Sequence, residues 1–544
     1  MPQLVEIIDR YYRTWFRFYP ELAVDVGVDG YAHLLKPYGD DEISALKVLN
    51  EKLISTLDEL DFSQLSQDQQ IDAQLMRGSA LLQLESAAIR DWRVTNPSRF
   101  LPVHAIYQLT LHELDNKKEA FKDRLAAIPA HLRGARSWLS IEPESIPKIW
   151  LDSAITEAEA GAEYFRSLKQ HPEINAYHVS EALDQAAHAL DDFANFMRNE
   201  LSEKAKGGFA CGRKYFDLVL RERHFLNIDA DELYAFGEKL FKQTDKELKA
   251  ITTELNGSDD VAALMKKIQL NTAPSKVSLL NEYRQQMQAA HQFVIEHDIV
   301  TLPEKENLSV VETPAFLQHQ IPFAAYYEPT ATDVKQQGYY YVTPPQSDEE
   351  LAEHNLISLK HTCVHEAWPG HHLQFVTANL KASSSTLPRL LNASASFYEG
   401  WALYCEEMMH ELGFIEEKES RFILLKDRLW RALRIMIDVG LHTRDLSVDD
   451  AAMLMQEKLG FSHEQAMGDL TWYTSAPGVP MGYATGWSLI NHLKKQELEK
   501  DGFQLKSFHD TLLSSGSIAL PLAIVRGFGL SAWQSAHKAV FKLK

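Results

Sequence analysis

At 544 residues and a net charge of −21, with 45% hydrophobic and 10% aromatic residues, the chain can bury a large core, and its charge argues against nucleic acid or an anionic membrane as main partner. Cys211, Cys363 and Cys405 are too few and too scattered for a disulfide framework or a cysteine-based zinc site, and point to a reducing compartment. No leader-like apolar run opens the chain and no stretch nears the roughly 20 apolar residues of a membrane helix, so the expectation is cytoplasmic, or periplasmic if a signal peptide has been removed.

Helical periodicity covers 45–60, 68–93 and 180–205. Asp229 reads as an N-cap for a helix whose apolar face is Leu233, Phe236, Leu240, Leu248 and Ile251. A further helical pattern fills 278–297. Two β-favouring runs follow: LSVVETPAF at 308–316 and QQGYYYVT at 336–343, which stops at Pro344-Pro345. Helical patterns resume at 349–366 and 418–442. Ser447 with Asp450 and Ser462 with Gln465 look like capping boxes, separated by a C-cap at Gly460. Breaks near 62–69, 256–260, 301–306 and 382–386 are too short for flexible linkers, and no repeat is present. The expected architecture is one mainly α unit, 1–544, with a mostly helical part at 1–300. The remainder, 301–544, carries a small sheet and the motif described next.

HEAWPGHHLQ, 365–374, starts like the zinc-peptidase signature H-E-x-x-H and then departs from it. Two histidines four apart share one helical face and can reach one metal ion. Pro369 occupies the second histidine's place. Its ring clashes with the His365 carbonyl and it has no N–H, so a regular helix cannot continue. Gly370 permits the unusual backbone that follows. If two residues are looped out, His371 takes the second ligand's position. His372 shares a face with His365 but lies two turns away, roughly 10 Å, which favours His371. His361, four before His365, is a further rival, read as a packing or supporting histidine. Glu366 follows the first ligand; it is either a solvated surface acid or the general base of the motif.

A catalytic zinc keeps a third protein ligand. In SASFYEGWALYCEEMMHELG, 394–413, the string Y-E-G-W-A resembles the N-E-G-F-A around the third ligand of zinc aminopeptidases, which nominates Glu399. Glu406, seven residues on along the same face, could orient a ligand histidine or be a surface acid.

HEAWPGHHLQ followed by YEGWALYCE resembles the bacterial family catalogued as domain of unknown function 885, placed among the zincin-like (gluzincin) peptidases. YPELAVDVGVDGY at 19–31 and SAPGVPMGYATG at 475–486 resemble it too, so the likeness spans most of the chain. Gly370-His371 is also similar to the G-H of H-E-F-G-H in thimet oligopeptidase and oligopeptidase F. With the Taq-type carboxypeptidases, these relatives imply a bilobed helical body around a deep channel, with a small sheet beside the zinc. The family name supplies no substrate.

A peptidase also needs a donor for the oxyanion. Tyr483, in the Gly/Pro-rich loop PGVPMGYATG, comes first, followed by Tyr473 and His442, each weighed against an ordinary buried hydrogen bond. Arg434, Asp438 and His442 recur every four residues and could hold a substrate carboxylate or tie helices together. The aromatic strand 338–343 could take an extended peptide by strand addition or be a paired core strand.

The leading expectation is a Zn²⁺-dependent peptidase acting on short peptides, with His365, His371 and Glu399 as ligands and Glu366 as base. The alternatives are an inactive peptide-binding protein that keeps the fold, motivated by Pro369, and a non-haem iron site. The cleavage position, side-chain preference and oligomeric state stay open.

Overall fold

Helices fill most of the chain in the computed structural model, which describes residues 4–542 apart from 274, 319–320, 322 and 382–384. Part of the expected break at 382–386 therefore lies outside the described residues. Contacts divide the chain into two units: Met1–Phe209 with Pro314–Pro322 and Thr330–Asp333, and Ala210–Thr313 with Phe323–Pro329 and Val334–Lys544. The division falls at 209/210 and not at 300, because the helices between those points pack with the motif-bearing part.

Among the described residues, the regular elements of the first unit are all helices. Its longer members include Asp40–Asp58, Gln67–Ile89, Lys117–Leu139, Lys148–Ser167 and Ser180–Phe196. Ser66 and Gln69 form a reciprocal capping box at the start of the second of these. The periodicity at 180–205 is cut short by a π-helical turn at Met197–Leu201.

In the second unit, α1 (Ala230–Asn256) starts at the Asp229 capping box with Glu232 and stops at Gly257, whose φ of +76° is a left-handed cap. Next come α2 (Lys276–Glu296), β1 (Asn307–Glu312), β2 (Ala324–Tyr327) and β3 (Gln337–Val342). The motif region supplies α3 (Leu356–Glu366), α4 (His371–Leu380), α5 (Ala395–Glu411) and α6 (Ser420–Thr443). The C-terminal part adds α7 (Val448–Leu459), α8 (His463–Ser475) and α9 (Gly482–Leu498). Ser447 caps α7, Gly460 closes it with φ +72°, and Ser462 with Gln465 boxes α8.

Two expectations change. The pattern at 349–366 is two helices, because the Asn355 side chain accepts the Ser358 N–H and starts α3 afresh after the helix Asp348–Glu353. The aromatic strand β3 is the centre of the sheet: the order is β1-β3-β2, with β1 parallel to it (Val310 opposite Tyr340) and β2 antiparallel (Tyr326 opposite Tyr340). Both edges of β3 are spent on its neighbours, so it cannot accept a peptide by strand addition. β2 escaped sequence reading because AAYY is only four residues long and lacks alternation.

One continuous apolar core joins α1, α2, the sheet, α3, α5, α6 and α9. Within it α5 and α9 touch backbone to backbone. A Cβ on Gly400 would lie 2.5 Å from Gly486 Cα, and one on Gly486 only 1.8 Å from the Ser396 carbonyl oxygen. Glycine is required on both helices at that crossing. The crossing sets Glu399, one residue before Gly400, close to Tyr483, one turn before Gly486.

Candidate metal centre

α3 stops at Glu366 and α4 restarts at His371, so the Pro-Gly segment 367–370 is a four-residue interruption. Proline enforces the stop, since no N–H is available at 369. The freed groups find partners: Gly370 N–H donates to the Val364 carbonyl at 3.1 Å, and the Pro369 carbonyl accepts from Trp401 Nε1 on α5 at 2.8 Å. Gly370 has no room for a side chain, because a Cβ there would sit 1.9 Å from the His365 carbonyl oxygen. The interruption is thus tightly folded back on α3 and stapled to α5.

Its effect is to place the His371 ring 4.7 Å, centroid to centroid, from that of His365. His365 Nε2 and His371 Nε2 lie 3.4 and 3.5 Å from the same oxygen, Glu399 Oε2. Ligand atoms of these three buried residues all fall within 4.8 Å of one another. Glu399 Oε2 has no hydrogen-bond partner although it is buried. A buried carboxylate oxygen facing two imidazole nitrogens without hydrogen bonds is the donor set a divalent cation satisfies, so the residues present fit Zn²⁺.

The other nitrogen of His365 is committed. Nδ1 and Glu406 Oε1 are 2.7 Å apart, with Glu406 buried, which directs Nε2 towards Glu399 and His371. Burial alone would lower the His365 pKa, but the carboxylates of Glu399 and Glu406 overcome it and raise it to about 10. Glu399 shows the reverse balance: burial raises it, yet His371 and His365 hold it well below the usual carboxylate range. Half-buried Glu366 is raised by burial, while His365 and His371 pull the other way.

The rival histidines sit elsewhere. His372 Nδ1 meets the Tyr326 hydroxyl at 3.0 Å and its Nε2 faces Glu306 at 3.5 Å. Burial lowers its pKa to about 4. Glu306 also accepts from Trp368 Nε1 at 3.0 Å and lies 3.3 Å from His291 Nε2. His361 Nε2 bonds the Ser420 hydroxyl at 2.8 Å.

The three oxyanion candidates separate. Tyr483 lies beside Glu399, and its pKa is raised by burial and by that carboxylate. Tyr473 donates to Asp469 Oδ2 at 2.7 Å. His442 is turned into the core: Nε2 meets the Tyr473 carbonyl at 3.0 Å and the ring stacks on Phe216. His442 is thus drawn away from the donor group, because its position on α6 faces α8 and the core.

Arg434 stands apart from Asp438 and His442, which keep to each other at 4.0 Å. Arg434 lies 4.6 Å from the Tyr483 ring centroid and 3.6 Å from Asp469. Asp438 accepts backbone N–H groups of Gly478 and Met481 at 3.1–3.3 Å, fixing the loop that leads into α9. Sequence reading missed Tyr326, which approaches His371 and His372 from β2; no pattern in a four-residue strand marks it.

Residues 20–526 match the family described as "Bacterial protein of unknown function (DUF885)". The chain belongs to that family. It is also similar in fold to two solved structures. One is a candidate lipoprotein of unknown function from Shewanella oneidensis: TM-score 0.77, 21% identity, 96% of this chain and 99% of that chain covered. The other is a candidate lipoprotein from Colwellia psychrerythraea: TM-score 0.79, 18% identity, 99% of each chain covered. An M32 carboxypeptidase from Deinococcus radiodurans R1 reaches only TM-score 0.44 at 11% identity, with 99% of this chain and 100% of that chain covered. No curated protein matches the sequence. Among the described residues no helix is long and apolar enough to cross a membrane.

Proposed function

We propose that this protein is a Zn²⁺-dependent peptidase acting on short peptides, with His365, His371 and Glu399 as the metal ligands. One observation carries the reading: two imidazole nitrogens and an unpartnered buried carboxylate oxygen converge, and a glutamate adjoins the first ligand. When bound, Zn²⁺ supplies Lewis acidity for a carbonyl and lowers the pKa of water at the site. Glu366 accepts a proton from the attacking water and returns it to the leaving amine; its raised pKa suits a group that must both take and give. Tyr483, beside Glu399, donates to the oxyanion formed at the scissile carbonyl. Glu406 keeps His365 in the tautomer that offers Nε2.

The experiment is metal analysis with activity. Purified protein should contain close to one zinc per chain and cleave short peptides. Glu366→Gln retains the zinc and loses hydrolysis by about 100-fold or more. Full activity in that variant removes the mechanism, and a chain that binds peptide without turning it over supports an inactive peptide-binding protein.

A further inference from the structure

Three rings surround His371, each from a different element. The Phe375 ring, one turn along α4, is centred 5.9 Å from that of His371; Tyr398 of α5 is at 6.0 Å and Tyr326 of β2 at 6.5 Å. They also meet one another, Phe375 with Tyr398 at 5.8 Å and with Tyr326 at 6.2 Å. These are distances of ordinary aromatic pairing. Their exposure sets them apart. Phe397, Trp401 and Tyr404, in the adjoining core, are fully buried, whereas Phe375, Tyr398 and Tyr326 stay partly exposed while the histidine they enclose is buried. Rings that served only to clamp His371 would gain most by being covered. Left partly in water, they offer apolar surface beside His371.

The charges around this surface are mainly acidic. Glu328 and Glu399 act on Tyr398, while Glu328, Glu306 and Glu366 act on Tyr326. Arg223, its Nη1 held by Asn392 at 3.4 Å, acts on Tyr398 in the opposite sense. An apolar surface of this kind attracts an apolar side chain, whereas a carboxylate placed on it would give up its water.

We propose that Phe375, Tyr398 and Tyr326 form the specificity subsite of the centre, selecting peptides whose residue next to the scissile bond is aromatic or large and apolar. This rests on the peptidase reading above, and its test separates the two. Pentapeptides Ala-Ala-Xaa-Ala-Ala, with Phe, Leu, Ala or Asp at Xaa, are offered to the zinc-loaded full chain. Their kcat/KM should favour Phe and Leu over Ala by roughly tenfold or more, with Asp poorest. Phe375→Ala should bring the Phe-to-Ala ratio close to one, and Phe375→Leu should restore part of it; unchanged zinc content shows that each variant is folded. Affinity of the same peptides for zinc-loaded Glu366→Gln gives the ranking without turnover. Equal kcat/KM for Phe and Ala peptides overturns the subsite, as does an unchanged ratio in Phe375→Ala or equal affinities in Glu366→Gln. A wild-type chain that cleaves nothing, with Glu366→Gln still preferring Phe, sinks the peptidase reading and leaves the subsite standing.

Discussion

His371 and His372 are neighbours with the same side chain, yet their surroundings assign them different work. His371 offers Nε2 to the oxygen that His365 also faces, whereas both nitrogens of His372 are directed at Tyr326 and Glu306. His371→Ala is therefore expected to abolish stoichiometric zinc binding, while His372→Ala keeps the metal. Isothermal titration with zinc distinguishes them, and the opposite pattern reverses the ligand assignment. Glu406 belongs at this scale as well. Its buried 2.7 Å contact fixes the His365 ring, so Glu406→Gln should weaken zinc binding by roughly 10- to 100-fold, the usual effect of losing a ligand's supporting carboxylate.

Between elements, contact is governed by two devices. The first is the glycine crossing of α5 with α9. Gly486→Ala puts a methyl group 1.8 Å from the Ser396 carbonyl oxygen, and the helices must separate. A destabilisation of about 1–3 kcal/mol, the usual range for overpacking, is expected in urea unfolding, along with displacement of Tyr483 from Glu399. The second device is Asp438 under the loop into α9. Burial raises its pKa to about 8, and the N–H groups of Gly478 and Met481 only partly offset this. An aspartate in the unfolded chain titrates near 3.9, so between about pH 4 and pH 8 the folded state holds one more proton than the unfolded state. Stability from this group is complete below pH 4 and is lost as pH rises through 8. Asp438→Asn should remove that share of the slope; urea midpoints of both proteins from pH 5 to pH 9 measure the difference, and parallel curves would contradict it.

At the scale of the whole molecule, the metal-ligand group lies wholly in the second unit. A ligand bound only by the folded state adds about 2.7 kcal/mol when present at 100 times its dissociation constant. Removing zinc with a chelator should thus lower the melting temperature, and hydrogen exchange should quicken in α3, α4 and α5 while the helices of Met1–Phe209 are unchanged. Equal melting with and without the chelator would show that no ion is held.

Residue patterns determine much of this protein on their own. The 3.6-residue period predicts the helices, Asp229, Ser462 and Gly460 mark their ends, and Pro369-Gly370 announces that the helix breaks inside the motif. Those signals are local, and so is the physics behind them: caps, ring closure and side-chain periodicity act within a few residues. Tertiary structure decided which histidine stands beside His365, that β3 is central and not an edge, that Arg434 and His442 part company, and that Tyr326 belongs to the site. Each of these depends on a contact between segments distant in the chain, such as Trp401 with Pro369 or Gly400 with Gly486, and a distance through space leaves no period in the sequence.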